Sequence, residues 1–243
     1  MSHRWLPGFR VAVLLMEAVH HNPREQWCVW HTKTARSPCS VRDVVTAKTQ
    51  YNLENALEYF EEHLCVGDYY DEGQRVAGEW VGVGAERLGL AGKVRADDFL
   101  RLCENQHPGT GEKLTQRQNT TRTEGDKNTA NRRIFYDFTF SPPKSVSLVG
   151  FLGNDERIFE AHARAVQAAL KDFEAFAATR VRVGGVRSER LTGNFVAAQF
   201  THDTSRALDP HLHTHCIVFN ATFDAVENRW KALENYELLR ARK

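Results

Sequence analysis

The chain has 243 residues, 42% apolar and 26% charged, with a formal net charge of +1. Those proportions are ordinary for a soluble globular protein with one substantial core, or at most two small ones, and the net charge does not advertise a nucleic-acid binder. Five scattered cysteines with no CxxC exclude a disulfide framework or a zinc ribbon and imply reduced thiols in the cytoplasm, and no apolar run is long enough to insert in a membrane.

Residues 1–41 hold Trp5, Trp27 and Trp30 and no sustained period, so they read as an irregular N-terminal extension. The apolar run Val11–Met16 faintly imitates a signal peptide, but Glu17 interrupts it and no small-x-small cleavage site follows. Residues 42–243 read as one domain. A short strand is expected over Val44–Ala47. Asn52 then caps a helix with Leu53, Ala56, Leu57 and Phe60 on its apolar stripe, and Tyr59 falls near its end. Tyr69 and Tyr70 follow in an acidic loop. The stretch Trp80–Gly89 contains Gly82 and Gly84 but has Arg87 where a dinucleotide fingerprint needs its third glycine, so that reading fails. A short helix is expected over Ala96–Cys103.

Charge is unevenly distributed. Residues 51–107 carry twelve acidic and five basic side chains, whereas residues 113–133 carry six basic and two acidic ones. A polyanion could follow such a basic track, although a solvated loop face is the blander reading. Asn105–Asn131 reads as a polar loop. Arg133–Phe140 reads as a strand with Phe135, Asp137 and Thr139 on one face, which sets a carboxylate in an aromatic strand; buried acids are rarely left unpaired. Ser141–Ser147 reads as a turn. Asn154 is expected to start the longest helix, with Ile158, His162, Ala165, Val166, Ala169, Leu170, Phe173 and Phe176 inward, and His162 as a core histidine. Arg180, Arg182, Arg187 and Arg190 form a further basic cluster, and Asn220–Trp230 reads as a turn into another strand. Leu233–Leu239 looks like an incipient helix, and the ending suggests a truncated domain.

Four of the eleven histidines lie within His202–His215. Strands expected over Asn194–Phe200 and from Leu212 onward, joined by the turn-rich stretch Asp203–Leu212, make an antiparallel pair. Its period of two puts His213 and His215 on one face and brings His202 near them. Three imidazoles on one surface form a facial metal site with open positions. His211 shares that face if extended, so spacing does not choose between 202/213/215 and 211/213/215. The element order favours an α+β fold with an antiparallel sheet and flanking helices.

The stretch from His202 to Asn220, the segment Asp137-Phe-Thr-Phe-Ser-Pro-Pro-Lys-Ser-Val-Ser147, and Tyr59-Phe60 followed by Asp68-Tyr-Tyr70, Glu79-Trp80 and Gly84–Leu90 occur in an order that closely resembles the conjugative relaxases of the TrwC/TraI (MobF) type, among the HUH endonucleases. The resemblance covers about residues 42–243. It implies an HUH relaxase fold lacking its C-terminal helices and a bacterial cytoplasmic enzyme. Such an enzyme nicks single-stranded DNA at a plasmid transfer origin through a 5′-phosphotyrosine intermediate. It also implies His202, His213 and His215 as ligands of one divalent ion (Mg, Mn or Zn), with His211 left as a loop residue. Asp137 would orient a ligand histidine and help take the tyrosine proton. Tyr59 would be the first catalytic tyrosine and Tyr69 and Tyr70 the second pair, with Phe60 where many members have another tyrosine.

Arg117, Arg122, Arg132, Arg133, Lys144 and Arg206 are the candidate DNA contacts. Implied partners are single-stranded and hairpin DNA at the origin, a coupling protein and relaxosome accessory proteins. The alternatives are a catalytically impaired DNA-binding remnant, a rolling-circle replication initiator, and a three-histidine hydrolase of small molecules. The last would leave the tyrosines and basic loops unexplained.

Overall fold

A computed structural model describes residues 45–64, 77–116, 121–124, 127–130, 133–205 and 209–234. Its centre is a five-stranded sheet in the order β1-β5-β9-β8-β2, built from β1 (Val45–Gln50), β2 (Glu79–Val81), β5 (Phe135–Phe140), β8 (Ala197–Thr204) and β9 (Pro210–Phe219). Every neighbouring pair is antiparallel. Helices pack on both faces, so the expected α+β class holds. Smaller sheets surround the centre: the ribbon β3 (Thr121–Glu124) with β4 (Lys127–Ala130), the hairpin β6 (Ala178–Val183) with β7 (Val186–Leu191), and the hairpin β10 (Thr222–Asp224) with β11 (Arg229–Lys231). The short β12 (Leu233–Glu234) pairs with β6.

Alternation along the strands divides the core in two. On the back face, Tyr136, Phe138, Phe140, Ala197, Cys216 and Val218 pack under helix α5 (Glu156–Ala175). That helix is capped by Asp155, whose side chain accepts from Arg157 N at 3.1 Å, and it buries Ala161, His162, Ala165, Val166, Ala169, Leu170 and Phe173. The three-and-four spacing of this set is one helical stripe, as the sequence pattern implied. Burial pushes the His162 imidazole down to about 4, so the ring is neutral at neutral pH.

The front face has an apolar half and a polar half. In the apolar half, Phe135, Ala198, Phe200, Ile217 and Phe219 pack against α1 (Leu53–Tyr59), the π-helical turn Phe60–Leu64 and α3 (Ala96–Cys103). Phe99 is fully buried there, stacked on Phe60 at 4.2 Å and edge-on to Phe219 at 5.0 Å. These contacts hold α1 over the sheet end, with Tyr59 as its last residue. Asn52 caps α1 as expected, accepting from Glu54 N at 2.9 Å.

Several expectations need correction. Asn154 does not start α5; it ends α4 (Lys144–Gly153) in the left-handed conformation at φ 47°, which asparagine tolerates better than most residues. Residues expected as a turn at Ser141–Ser147 therefore enter a helix from Lys144 onward, because Pro143 suits the position just before a helix. The loop Asn105–Asn131 contains the β3–β4 ribbon. The strands flanking the histidine turn run further than expected, to Thr204 and from Pro210. Leu233 and Glu234 are strand, not helix. The expectations for residues 1–41, for Val44 and for residues 235–239 lie outside the described residues.

The glycines near Trp80 have a packing role. Gly82 sits at φ 98° before helix α2 (Val83–Arg87), and a Cβ on Gly84 would stand 2.4 Å from the Phe195 carbonyl oxygen. That oxygen accepts from Gly84 N at 3.0 Å, and Glu174 bridges Val83 N (2.8 Å) and Phe195 N (3.1 Å) from α5. Gly84→Ala is predicted to cost about 1–3 kcal/mol through this backbone clash. Urea unfolding checks it; an unchanged midpoint contradicts the close approach.

Candidate active site

The polar half of the front face is assembled by strand register. His202 on β8 lies directly opposite His213 on β9, and His215 is two residues further along. Thr139 on β5 is paired with His215 from the other side, and Asp137 is two residues from Thr139 on the same face. Residues in register across an antiparallel pair share a face, so these side chains converge without help from any loop. Burial along β9 alternates with the same period: Leu212, Thr214 and Cys216 are fully buried, while His211, His213 and His215 are partly buried.

The rings of His202, His213 and His215 are mutual neighbours, with centroids 5.2, 5.7 and 5.1 Å apart. His211 stacks on His213 at 4.9 Å. Three imidazoles bound tetrahedrally through nitrogens about 2.1 Å from one ion would have ring centroids about 5.3 Å apart. The spacing therefore suits a shared ion, but the ring planes do not yet converge. His202 and His213 lie stacked at 25°, and among the described residues no group of three His, Cys, Asp or Glu side chains forms a finished metal site.

The donor chemistry also fits. His215 Nδ1 lies 3.0 and 2.9 Å from the two Asp137 oxygens. An ionised carboxylate only accepts, so Nδ1 carries the hydrogen and Nε2 keeps its lone pair for a cation. His213 Nδ1 lies 2.8 Å from the His211 carbonyl oxygen, which imposes the same tautomer. Burial pushes the His213 ring down to about 4, with a smaller opposing effect from that hydrogen bond, so it is neutral at neutral pH, as a ligand must be.

Tyr59 reaches the cluster from α1. Its Oη donates to Asp137 Oδ2 at 2.6 Å, and its ring stands edge-on to His215 at 6.2 Å. One carboxylate, 2% exposed, thus binds both the phenol and the imidazole. Thr139 Oγ1 adds a donor to Asp137 Oδ1 at 3.4 Å and lies 3.2 Å from His215 Nδ1. Sequence reasoning missed Thr139, although its place two residues after Asp137 on a strand was the available signal. Cys216 points to the back face, and complete burial raises its thiol well above the usual range, which removes it as a nucleophile.

The other sequence-predicted residues are less concentrated. Lys144, at the start of α4, pairs with Asp209 at 3.4 Å, both largely exposed. Arg133, just before β5, donates to Tyr136 Oη at 3.4 Å. Arg122 belongs to the β3 ribbon strand. Tyr69, Tyr70, Arg117, Arg132 and Arg206 lie outside the described residues.

An antiparallel sheet with helices on both faces carries this cluster, and comparison with known proteins assigns the chain to a relaxase family. A family profile described as TrwC relaxase matches residues 53–243. The multifunctional conjugation protein TraI of Escherichia coli is 46% identical over 156 residues, which are 64% of this chain and 8% of TraI; TraI of strain K12 is 45% identical over the same length. A metal-bound structure of the conjugative relaxase TrwC in complex with oriT DNA is 37% identical, with a TM-score of 0.65 over 82% of this chain and 64% of that one. A copper-bound complex gives 36% and 0.66. A TrwC complex with a 27-mer DNA comprising the recognition hairpin and the cleavage site gives 33% and 0.63. The chain belongs to the TrwC relaxase family, a family of DNA-nicking enzymes. It spans a small part of the TraI proteins and just under two thirds of the solved TrwC chains.

In the metal-free protein, an NMR titration of His213 is predicted to have its midpoint near 4. The shift is downward, so the ring stays neutral from neutral pH through mild acid. A midpoint near 6.5 contradicts the buried placement.

Proposed function

We propose that residues 42–243 form a relaxase domain that nicks single-stranded DNA at a plasmid transfer origin, with residues 1–41 as an extension of it. The observation that carries this reading is the hydrogen bond of 2.6 Å from Tyr59 to the carboxylate that also orients His215. Free tyrosine has a pKa of about 10, so as a nucleophile it needs a neighbouring base. Asp137 is within reach of the proton that must leave.

In the proposed step the Tyr59 oxygen attacks the scissile phosphorus and its proton passes to Asp137. The bond from phosphorus to the 3′ oxygen breaks, and that oxygen leaves with the upstream strand and is protonated. The downstream strand remains joined to Tyr59 through its 5′ phosphate. Because a phenolate is a better leaving group than an alkoxide, a 3′ hydroxyl can reverse the link, so the bond is stored rather than hydrolysed. Tyr69 and Tyr70 would serve a second transfer.

His202, His213 and His215 would hold one divalent ion, Mg, Mn or Zn. Bound there, it would supply charge stabilisation to the non-bridging phosphate oxygens. The metal-bound TrwC complexes support a bound divalent ion. The TrwC complexes with oriT DNA support an origin-derived single strand and hairpin as substrate. Arg117, Arg122, Arg132, Arg133, Lys144 and Arg206 would contact phosphates, which position the DNA without reading its sequence. Coupling and accessory proteins of the transfer machinery would be the protein partners. Among the described residues no helix is long and apolar enough to cross a membrane; the proposed site of action is the bacterial cytoplasm.

Incubating the protein with a labelled origin oligonucleotide and Mn or Mg is predicted to give a covalent adduct that vanishes in Tyr59→Phe and on chelation. Asp137→Asn is predicted to slow adduct formation by roughly 10²–10⁴-fold, the usual contribution of a general base. An adduct that persists in Tyr59→Phe contradicts the assignment. Hairpin binding with no adduct under any divalent ion favours the DNA-binding remnant.

A further inference from the structure

The back of the histidine strands carries a second polar chain, on the face opposite the histidine cluster. His162 Nε2 on α5 lies 2.9 Å from Thr214 Oγ1, and Thr214 Oγ1 lies 3.0 Å from Thr201 Oγ1. His162 and Thr214 are each 2% exposed. His162 and Thr214 are buried polar groups, which cost stability unless they are satisfied, whereas Thr201 is exposed. Their position suggests what they do. Thr201 and Thr214 are opposite each other in the register, adjacent to the opposed pair His202 and His213, and Thr214 separates His213 from His215. Ser147 on α4 adds a second tie, its Oγ accepting from Leu212 N at 3.1 Å.

The backbone ladder cannot do this alone, because the register of β8 against β9 shifts between His202 and Thr204. Such an irregularity bends its strand and increases the local twist next to the paired His202 and His213. Side chains alternate across a strand, so fixing Thr214 and Thr201 from behind also fixes the direction in which His213, His215 and His202 leave the front.

We propose that His162, Thr214 and Thr201 are positioning residues that set the geometry of the histidine cluster through its strands. This rests on the reading of His202, His213 and His215 as metal ligands. The tie is one step further from the cation than Asp137, whose direct contact with a ligand is of the kind worth 10–100-fold in affinity. The expected loss is therefore smaller, roughly three- to tenfold.

The test is titration of the intact metal-free chain with Co²⁺, reading affinity and the ligand-field absorption bands, at a temperature where circular dichroism shows every variant folded. Thr214→Val and Thr201→Val keep the shape and remove the hydroxyl. Both are expected to weaken Co²⁺ binding by roughly three- to tenfold and to shift the bands. Thr214→Ser is expected to restore both, and His162→Gln to fall between. Wild-type affinity and bands in the two valine variants overturn the inference even if their melting temperatures fall, since a purely structural role predicts that outcome. Failure of the wild-type chain itself to bind Co²⁺ would sink the metal reading, and the inference with it.

Discussion

The site depends on one buried carboxylate. Asp137 is 2% exposed on a strand otherwise made of aromatics and threonine. An ionised acid in that setting is tolerable only if its oxygens are satisfied, and the fold supplies donors from three elements: Tyr59 from α1, His215 from β9 and Thr139 from β5 itself. Each donor thereby gains a defined role. The imidazole is held in the tautomer that leaves Nε2 available, and the phenol is held against an acceptor for its proton. A change at Asp137 therefore affects nucleophile and ligand together, and single substitutions there will not separate the two roles.

The remainder of the front face serves to bring Tyr59 to that carboxylate. Tyr59 stands at the point where α1 gives way to a π-helical turn, and the next residue, Phe60, is driven into the aromatic cluster. Phe60 stacks on Phe99 and contacts Phe200 edge-on at 6.0 Å, so it anchors the helix end instead of facing the site. Apolar packing on one half of the face thus determines the geometry of the polar half, and Gly84, which lets the backbone close on Phe195, locks the adjoining edge of the sheet.

Much of this was legible in the sequence where periodicity was strong. The α5 stripe, the Asn52 cap, the helix at Ala96–Cys103 and the facing of Asp137 with Thr139 all follow from spacing. The histidine set did not. His211, His213 and His215 share a period, and only the register of β8 on β9, a long-range property, shows that His202 lies opposite His213 while His211 stacks outside. Helix α4 was hidden because two prolines and three serines look like a turn, yet Pro143 suits a helix start. Asn154 looked like a cap and is one, but of the preceding helix, since a left-handed residue closes a helix and cannot open the next. The glycines after Trp80 do not complete a dinucleotide fingerprint; their actual demand is a close backbone approach, which no local pattern reveals. His162 looked like an ordinary core residue for the same reason.

The account turns on Asp137 holding His215 as the Nδ1–H tautomer, and ¹⁵N NMR of the histidine side chains reads that directly. In the metal-free protein, with His215 assigned by substitution, Nδ1 is expected to carry a hydrogen held by Asp137, and its resonance to be disturbed in Asp137→Asn. A His215 that carries its proton on Nε2, or one indifferent to Asp137→Asn, would contradict it.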